Sequence, residues 1–171
     1  VLLDFIILLV ILLLLLLLSM VWPPDSPWAP WWRTSQPTAR AICQLAKIKP
    51  EELIYDLGSG DGTALITAAK EFGANGVGIE IDPLRYWVSK IRIQKNGLSK
   101  RIKVVRKNFF QKNIKNADVV FVYLVPKALE KLLPKFKQEL KKGTRIVSYV
   151  YEINLPLKEY DKKNRIRLYI I

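Results

Sequence analysis

Residues 55–63 read Tyr55-Asp56-Leu57-Gly58-Ser59-Gly60-Asp61-Gly62-Thr63. An apolar run, Leu53 to Leu57, leads into this stretch, and a helical pattern from Thr63 to Phe72 leads out of it before Gly73. A glycine-rich turn between a strand and a helix is the setting of a nucleotide-binding loop. Gly58 permits the tight turn, while Gly60 and Gly62 let a ligand reach the backbone with no Cβ in the way. The N-terminus of the next helix offers free N–H groups to a polar ligand end. Glu80 closes the following strand, 18 residues after Gly62, where it suits a bidentate grip on ribose hydroxyls.

The spacing selects among ligands. A dinucleotide fingerprint starting at Gly58 needs glycine at position 63, which is Thr63. A P-loop needs Gly-Lys-Ser/Thr, and no lysine follows. The pattern is instead Asp-x-Gly-x-Gly-x-Gly, and the acid at its head suits a ligand with a positively charged amino-acid end better than a pyrophosphate. Against a merely structural turn stands the register of strand, helix and Glu80.

Outward from the loop, strands and helices alternate. Thr34 to Ile48 reads as a helix, with Ser35 as N-cap candidate and Ala39, Ile42, Leu45 and Ala46 on one face. Gly76 to Ile81 is a strand. Pro83 to Asn96 is a helix with Leu84, Trp87, Val88 and Ile91 at helical spacing. Ile102 to Arg106 alternates as a strand, and Ala117 to Leu124 is an unbroken apolar strand of the kind buried on both faces. Lys127 to Leu140 is amphipathic, with Pro134 expected to bend it. Thr144 to Tyr151 is a further buried strand, and Leu155 to Tyr160 with Arg165 to Ile171 forms a hairpin. The sum is an α/β Rossmann-like sheet, mostly parallel with one antiparallel strand.

Composition narrows the chemistry. The chain has 171 residues, 28 Lys and Arg against 15 Asp and Glu, one cysteine and no histidine. That length holds one ordinary domain plus an appendage. A single Cys43 excludes an internal disulfide and any cysteine cluster, and the lack of histidine excludes Ser-His-Asp triads and His-based metal sites. No metal site is expected, and Cys43 itself reads as a small buried apolar residue.

Phe5 to Trp22 is an uncharged stretch, roughly 27 Å long as a helix and close to a bilayer's hydrocarbon thickness. A signal peptide is the alternative, but a basic n-region and an A-x-A site are both missing. The reading is a transmembrane anchor over 1–22, a Pro/Trp-rich linker over 23–33 and a catalytic domain over 34–171. All basic residues follow the apolar run, which places that domain on the cytoplasmic side of a single-pass membrane protein. Trp22 and Trp28 fit an interfacial belt, and Trp31 fits either that belt or an acceptor channel. From Pro83 to Ala117 there are 11 Lys and Arg and no acid, a bias that suits anionic lipid or, with Trp87, Phe109 and Phe110 interspersed, RNA.

Asp56-Leu57-Gly58-Ser59-Gly60-Asp61-Gly62 followed by Gly78-Ile79-Glu80-Ile81-Asp82-Pro83 resembles the class I S-adenosylmethionine-dependent methyltransferases. Pro30 to Ser35, Tyr123-Leu124-Val125-Pro126 and residues 140–148 resemble one branch of them. That branch holds the archaeal broad-specificity protein-lysine methyltransferase and the mitochondrial enzymes acting on adenine nucleotide translocase and the ATP synthase c-ring protein. The branch has Val-Pro where this chain has Trp32-Arg33.

The resemblance implies S-adenosyl-L-methionine as cofactor. Asp56, Gly58, Ser59, Gly60 and Gly62 would line its methionine end, and Glu80 would hold the ribose. Ile81 would pack beside the adenine, Asn108 would meet the adenine amino group, and Phe109 would stack on the ring. It also implies a protein substrate carrying lysine, at the cytoplasmic membrane face. Tyr123, at the C-terminal end of a buried strand, is the candidate catalytic residue for orienting the amine, against a plain core tyrosine. Asp61 contacts the cofactor, caps the next helix, or does both. The alternatives are an RNA or small-molecule methyltransferase and a catalytically inactive, membrane-tethered binding module.

Overall fold

The computed structural model describes residues 1–21 and 32–171, so Trp22, Trp28, Trp31 and the linker up to residue 31 lie outside the described residues. Seven strands form one sheet: β1 (Leu53–Leu57), β2 (Asn75–Glu80), β3 (Ile102–Arg106), β4 (Val119–Val122), β5 (Arg145–Tyr149), β6 (Leu157–Asp161) and β7 (Ile166–Ile170). Their order is β3-β2-β1-β4-β5-β7-β6. The first five pair in parallel, and β7 runs antiparallel to both β5 and β6, so it alone is reversed. The strand order reverses beside β1, which leaves a crevice beyond the C-terminal ends of β1 and β4.

The helices cover both faces. One face carries α2 (Gln36–Leu45), α3 (Thr63–Phe72) and α4 (Pro83–Lys95), packed through Ile42, Cys43, Leu65, Ile66 and Ile93. The other carries α5 (Pro126–Glu139), packed through Leu129, Leu132 and Phe136. Every residue of β4 is buried, as its unbroken apolar run requires for a strand covered on both sides. Ser35 caps α2 by accepting from the Thr38 N–H at 3.2 Å. Helix α5 continues through Pro134. In the tail, the buried Tyr169 hydroxyl accepts from the Ile153 N–H at 3.0 Å and ties the reversed strand to the loop after β5.

Close approach of α3 to the sheet depends on glycine. A Cβ on Gly78 of β2 would lie 2.6 Å from Ser59 Oγ and 3.1 Å from Leu65 Cδ1. On Gly76 the nearest atom is the mobile end of Leu65, at 2.9 Å. Gly78→Ala is therefore expected to cost about 1–3 kcal/mol and Gly76→Ala less. Thermal denaturation of the two variants checks this; equal midpoints would show that the loop yields freely.

One expectation needs correction. Helix α1 spans Leu2–Val21, yet among the described residues no helix is long and apolar enough to cross a membrane. Asp4 sets a charged side chain in the first turn of α1, where hydrocarbon disfavours it. This overturns the transmembrane anchor over 1–22 and the single-pass localisation with its cytoplasmic domain; the bilayer partner rested on the same segment. Helix α4 forms where its spacing placed it and buries Arg85, Ser89 and Ile93. Its apolar stripe of Leu84, Trp87, Val88 and Ile91 is exposed, Trp87 by 57%.

Candidate functional site

A cavity opens at the C-terminal ends of β1, β2 and β4, beside the start of α3. The loop at its floor takes the shape its glycines allow, with φ of +88° at Gly58, +53° at Gly60 and +78° at Gly62. The N–H groups of Gly58 and Ser59 both donate to the Ile79 carbonyl, at 2.9 and 3.1 Å, which pins the loop onto β2. Glu80 is 5% exposed and accepts from the Gly60 N–H at 2.8 Å and the Asp82 N–H at 2.9 Å. Each carboxylate oxygen thus keeps a lone pair for another donor. Burial raises its pKa, opposed by those two N–H groups.

Asp56, at the end of β1, lies 3% exposed on the cavity wall. Burial pushes its carboxyl well above the usual range, reinforced by the negative charges of Glu80 and Asp61. A cationic ligand group would relieve that cost by favouring the ionised form. Ser59 Oγ is buried and has no hydrogen-bond partner among the described residues.

Asp61 is held by two arginines, Arg33 at 2.9 Å and Arg92 at 2.6 Å. It also accepts from the N–H of Thr63, the first residue of α3, at 3.1 Å, while the N-cap position itself is Gly62. Arg92 donates further to the Asp61 carbonyl and the Thr63 hydroxyl, clamping the loop to α4. Nothing in the sequence marked Arg92 or Arg33, since their partner lies some 30 positions away. Arg85 was equally hidden within a basic stretch; it is 6% exposed on the cavity wall, and burial lowers its pKa against the charges of Glu80 and Asp82.

Of the expected cofactor residues, Asp56, Gly58, Ser59, Gly60, Glu80, Ile81 and Phe109 line the cavity. Gly62 and Asn108 stand beside it: Gly62 faces Ser89 and Ile93 of α4, and Asn108 Oδ1 accepts from the Phe110 N–H at 3.0 Å. Tyr123 lines the opposite wall with Trp32 and Phe121. Burial first, then neighbouring Tyr149 and Tyr151, raise its pKa, opposed by Arg165. Its hydroxyl thus keeps its proton at neutral pH. No group of acidic, cysteine or histidine residues suited to a metal occurs among the described residues. The cavity thus joins an acidic wall, a glycine loop and a helix start to an aromatic mouth.

Known proteins resemble this chain in sequence and fold. Residues 56–156 match the family described as ANTKMT methyltransferase domain. A protein-lysine N-methyltransferase of Saccharolobus islandicus is 36% identical over 160 residues, which cover 89% of this chain and 98% of that protein. An adenine nucleotide translocase lysine N-methyltransferase of Mus musculus is 30% identical over 108 residues, 63% of this chain and only 46% of that protein. Among solved structures, an RNA methyltransferase from Salinibacter ruber bound to S-adenosyl-L-homocysteine superposes with a TM-score of 0.77 at 30% identity, over 82% of this chain and 94% of that one. The chain belongs to the ANTKMT methyltransferase domain family and is an S-adenosylmethionine-dependent methyltransferase.

Proposed function

We propose that the enzyme methylates lysine side chains of protein substrates. The similarity to a protein-lysine N-methyltransferase along almost the whole of both chains carries this reading. S-adenosylmethionine, when bound, supplies a methyl group activated on a sulfonium sulfur.

The roles of this chain's residues follow from the chemistry of the cavity. Asp56 takes the cationic amino end of the cofactor, while the N–H groups of Gly58, Ser59, Gly60 and Gly62 hold the shape of the loop by donating to Ile79, Glu80 and Ser59. The unpartnered Ser59 Oγ supplies a further polar contact. Glu80 holds the ribose hydroxyls with its remaining lone pairs, already oriented by Gly60 and Asp82. Ile81 and Phe109 sandwich the adenine, with Asn108 beside its amino group.

The acceptor amine must be neutral to attack. Loss of hydration on entering the cavity lowers its pKa, and its proton leaves to water. The Tyr123 hydroxyl, protonated at neutral pH, orients the amine and does not remove its proton. Holding amine and methyl group in line supplies much of the rate.

Purified enzyme incubated with protein extract and methyl-labelled cofactor should place label in material that survives RNase and hydrolyses to methyl-lysine. Tyr123→Phe should lower kcat about tenfold to a hundredfold while leaving S-adenosyl-L-homocysteine affinity unchanged. The runner-up, RNA methylation, draws on the Salinibacter ruber likeness and on the exposed, basic α4 with Lys90 4.9 Å above the Trp87 ring. Label confined to RNA would establish it instead.

A further inference from the structure

Helix α4 turns an apolar face to solvent. Leu84, Trp87, Val88 and Ile91 fall within about 100° of its circumference, and all four are exposed. Lys90 borders this face, its Nζ 4.9 Å from the centre of the Trp87 ring and 5.4 Å from that of Tyr86. Lys95 continues the face one turn beyond Ile91. Beside it runs a groove of about 650 Å³ whose lining includes Tyr86, Lys90, Lys100, Arg101 and Lys103 and no acid. The whole stretch from Pro83 to Ala117 carries no carboxylate side chain. An apolar stripe bordered by cations is the pattern of a helix lying in the plane of a lipid–water interface, with tryptophan at headgroup depth.

We propose that the outer face of α4 docks on an anionic lipid surface, with Leu84, Trp87, Val88 and Ile91 entering the headgroup boundary and the lysines of the adjoining groove meeting the phosphates. The helix lies on the leaflet and does not cross it, so the docking is independent of α1. Charge complementarity selects this occupant. A second copy seated on the same face would set lysine against lysine with no acid between them. A nucleic acid needs ring faces for its bases, yet three of the four stripe residues are aliphatic and Lys90 lies against the Trp87 ring. An anionic leaflet satisfies both halves of the surface, since it offers apolar depth beneath a layer of negative charge. Helix α4 follows Glu80 and its neighbour Asp82 directly, so docking holds the cofactor cavity close to the leaflet and favours acceptors found there. The inference stands whichever acceptor the enzyme takes.

A nitroxide placed on α4 of the full chain tests this. Val88→Cys is labelled selectively, because Cys43 is buried. Vesicles of phosphatidylcholine with about one-third phosphatidylglycerol should raise the label's collision rate with oxygen at least about twofold and lower that with a water-soluble nickel chelate. Pure phosphatidylcholine should do neither. A label at Gln138→Cys, on α5 across the sheet, should stay in water on both vesicles. Adding Trp87→Ser and Ile91→Ser to the Val88→Cys chain should abolish the rise. So should Lys90→Glu with Lys95→Glu and Lys100→Glu. Trp87 and Ile91 line no part of the cofactor cavity, so an unchanged S-adenosyl-L-homocysteine affinity shows that the serine variant folds. An unmoved label at position 88, an equal rise on neutral vesicles, or an equal rise at position 138 overturns the docking face. Shielding of position 88 by oligouridylate or polyglutamate but not by vesicles assigns the face to RNA or to an acidic protein. Spin–spin broadening without vesicles assigns it to a second copy, and each of these results overturns the proposal as well.

Discussion

Glu80→Ala is expected to lower S-adenosyl-L-homocysteine affinity by at least about a hundredfold, the loss of two charge-assisted hydrogen bonds of about 1.5–3 kcal/mol each. The same substitution strands the N–H groups of Gly60 and Asp82, which Glu80 accepts at 2.8 and 2.9 Å in a site 5% exposed. Each unsatisfied donor costs about 1–3 kcal/mol, so the thermal midpoint falls as well. Glu80→Gln separates the two effects. It keeps one acceptor oxygen, spares one of the two N–H groups, and turns an amide N–H₂ toward the other. Its stability loss should be smaller than that of the alanine variant, while its affinity loss remains at least about tenfold. Calorimetric titration and thermal scans read both quantities. A Glu80→Ala variant that binds within about threefold of wild type would remove Glu80 from the ribose site.

Asp56→Asn should move affinity and stability in opposite directions. Burial, with Glu80 and Asp61 nearby, holds the Asp56 carboxyl well above its usual pKa in the folded chain. The folded state therefore binds this proton more tightly than the unfolded state. The stability linked to this group is fully present below the ordinary aspartate pKa of about 3.9 and is lost as pH rises through the raised folded value. An asparagine carries no such penalty. The variant should be more stable than wild type at pH 8, by about 1–3 kcal/mol, with the difference shrinking as pH falls through the raised value toward 3.9. It should also bind S-adenosyl-L-homocysteine at least about tenfold more weakly, because the ligand's ammonium loses its counter-charge. At a pH below the raised folded value, ligand binding to wild type should release a proton, seen as a heat that varies with the ionisation enthalpy of the buffer; in Asp56→Asn that dependence should vanish. Stability gained where function is lost is the expected mark of a binding site built on an unfavourable buried charge. An unchanged midpoint at pH 8 together with unchanged affinity would show that Asp56 faces no ligand cation.

The parts of this protein legible in its sequence are those governed by neighbours along the chain. Positive φ at Gly58, Gly60 and Gly62 follows from residue type, and the loop's place between strand and helix follows from the change of hydrophobic period on either side. Glu80 was reachable because β2 pairs with β1 in a parallel register set by their apolar patterns, which brings its carboxylate to the Gly60 N–H. The fate of the N-terminal run was less legible: its composition marks a helix, yet α1 carries Asp4 in its first turn, and no helix among the described residues is long and apolar enough to cross a membrane.

What the tertiary structure decided is which faces meet and which distant charges pair. Leu84, Trp87, Val88 and Ile91 form as regular a stripe as any core helix, yet they are exposed. The opposite face of α4 is drawn inward because Ser89 and Ile93 must fit against Gly62, with Ser89 Cβ only 3.4 Å from a Cβ placed there, and because Arg85 lies among the charges of Glu80 and Asp82. Period alone states that a helix has an apolar side; whether that side turns inward depends on contacts with residues far along the chain. The same holds for the clamp of Arg33 and Arg92 on Asp61, and for the rings of Trp32, Tyr123, Tyr149 and Tyr151 at the cavity mouth. Local conformational preference acts within a few residues, whereas charge pairing and ring packing act through space, and only the folded sheet sets those distances.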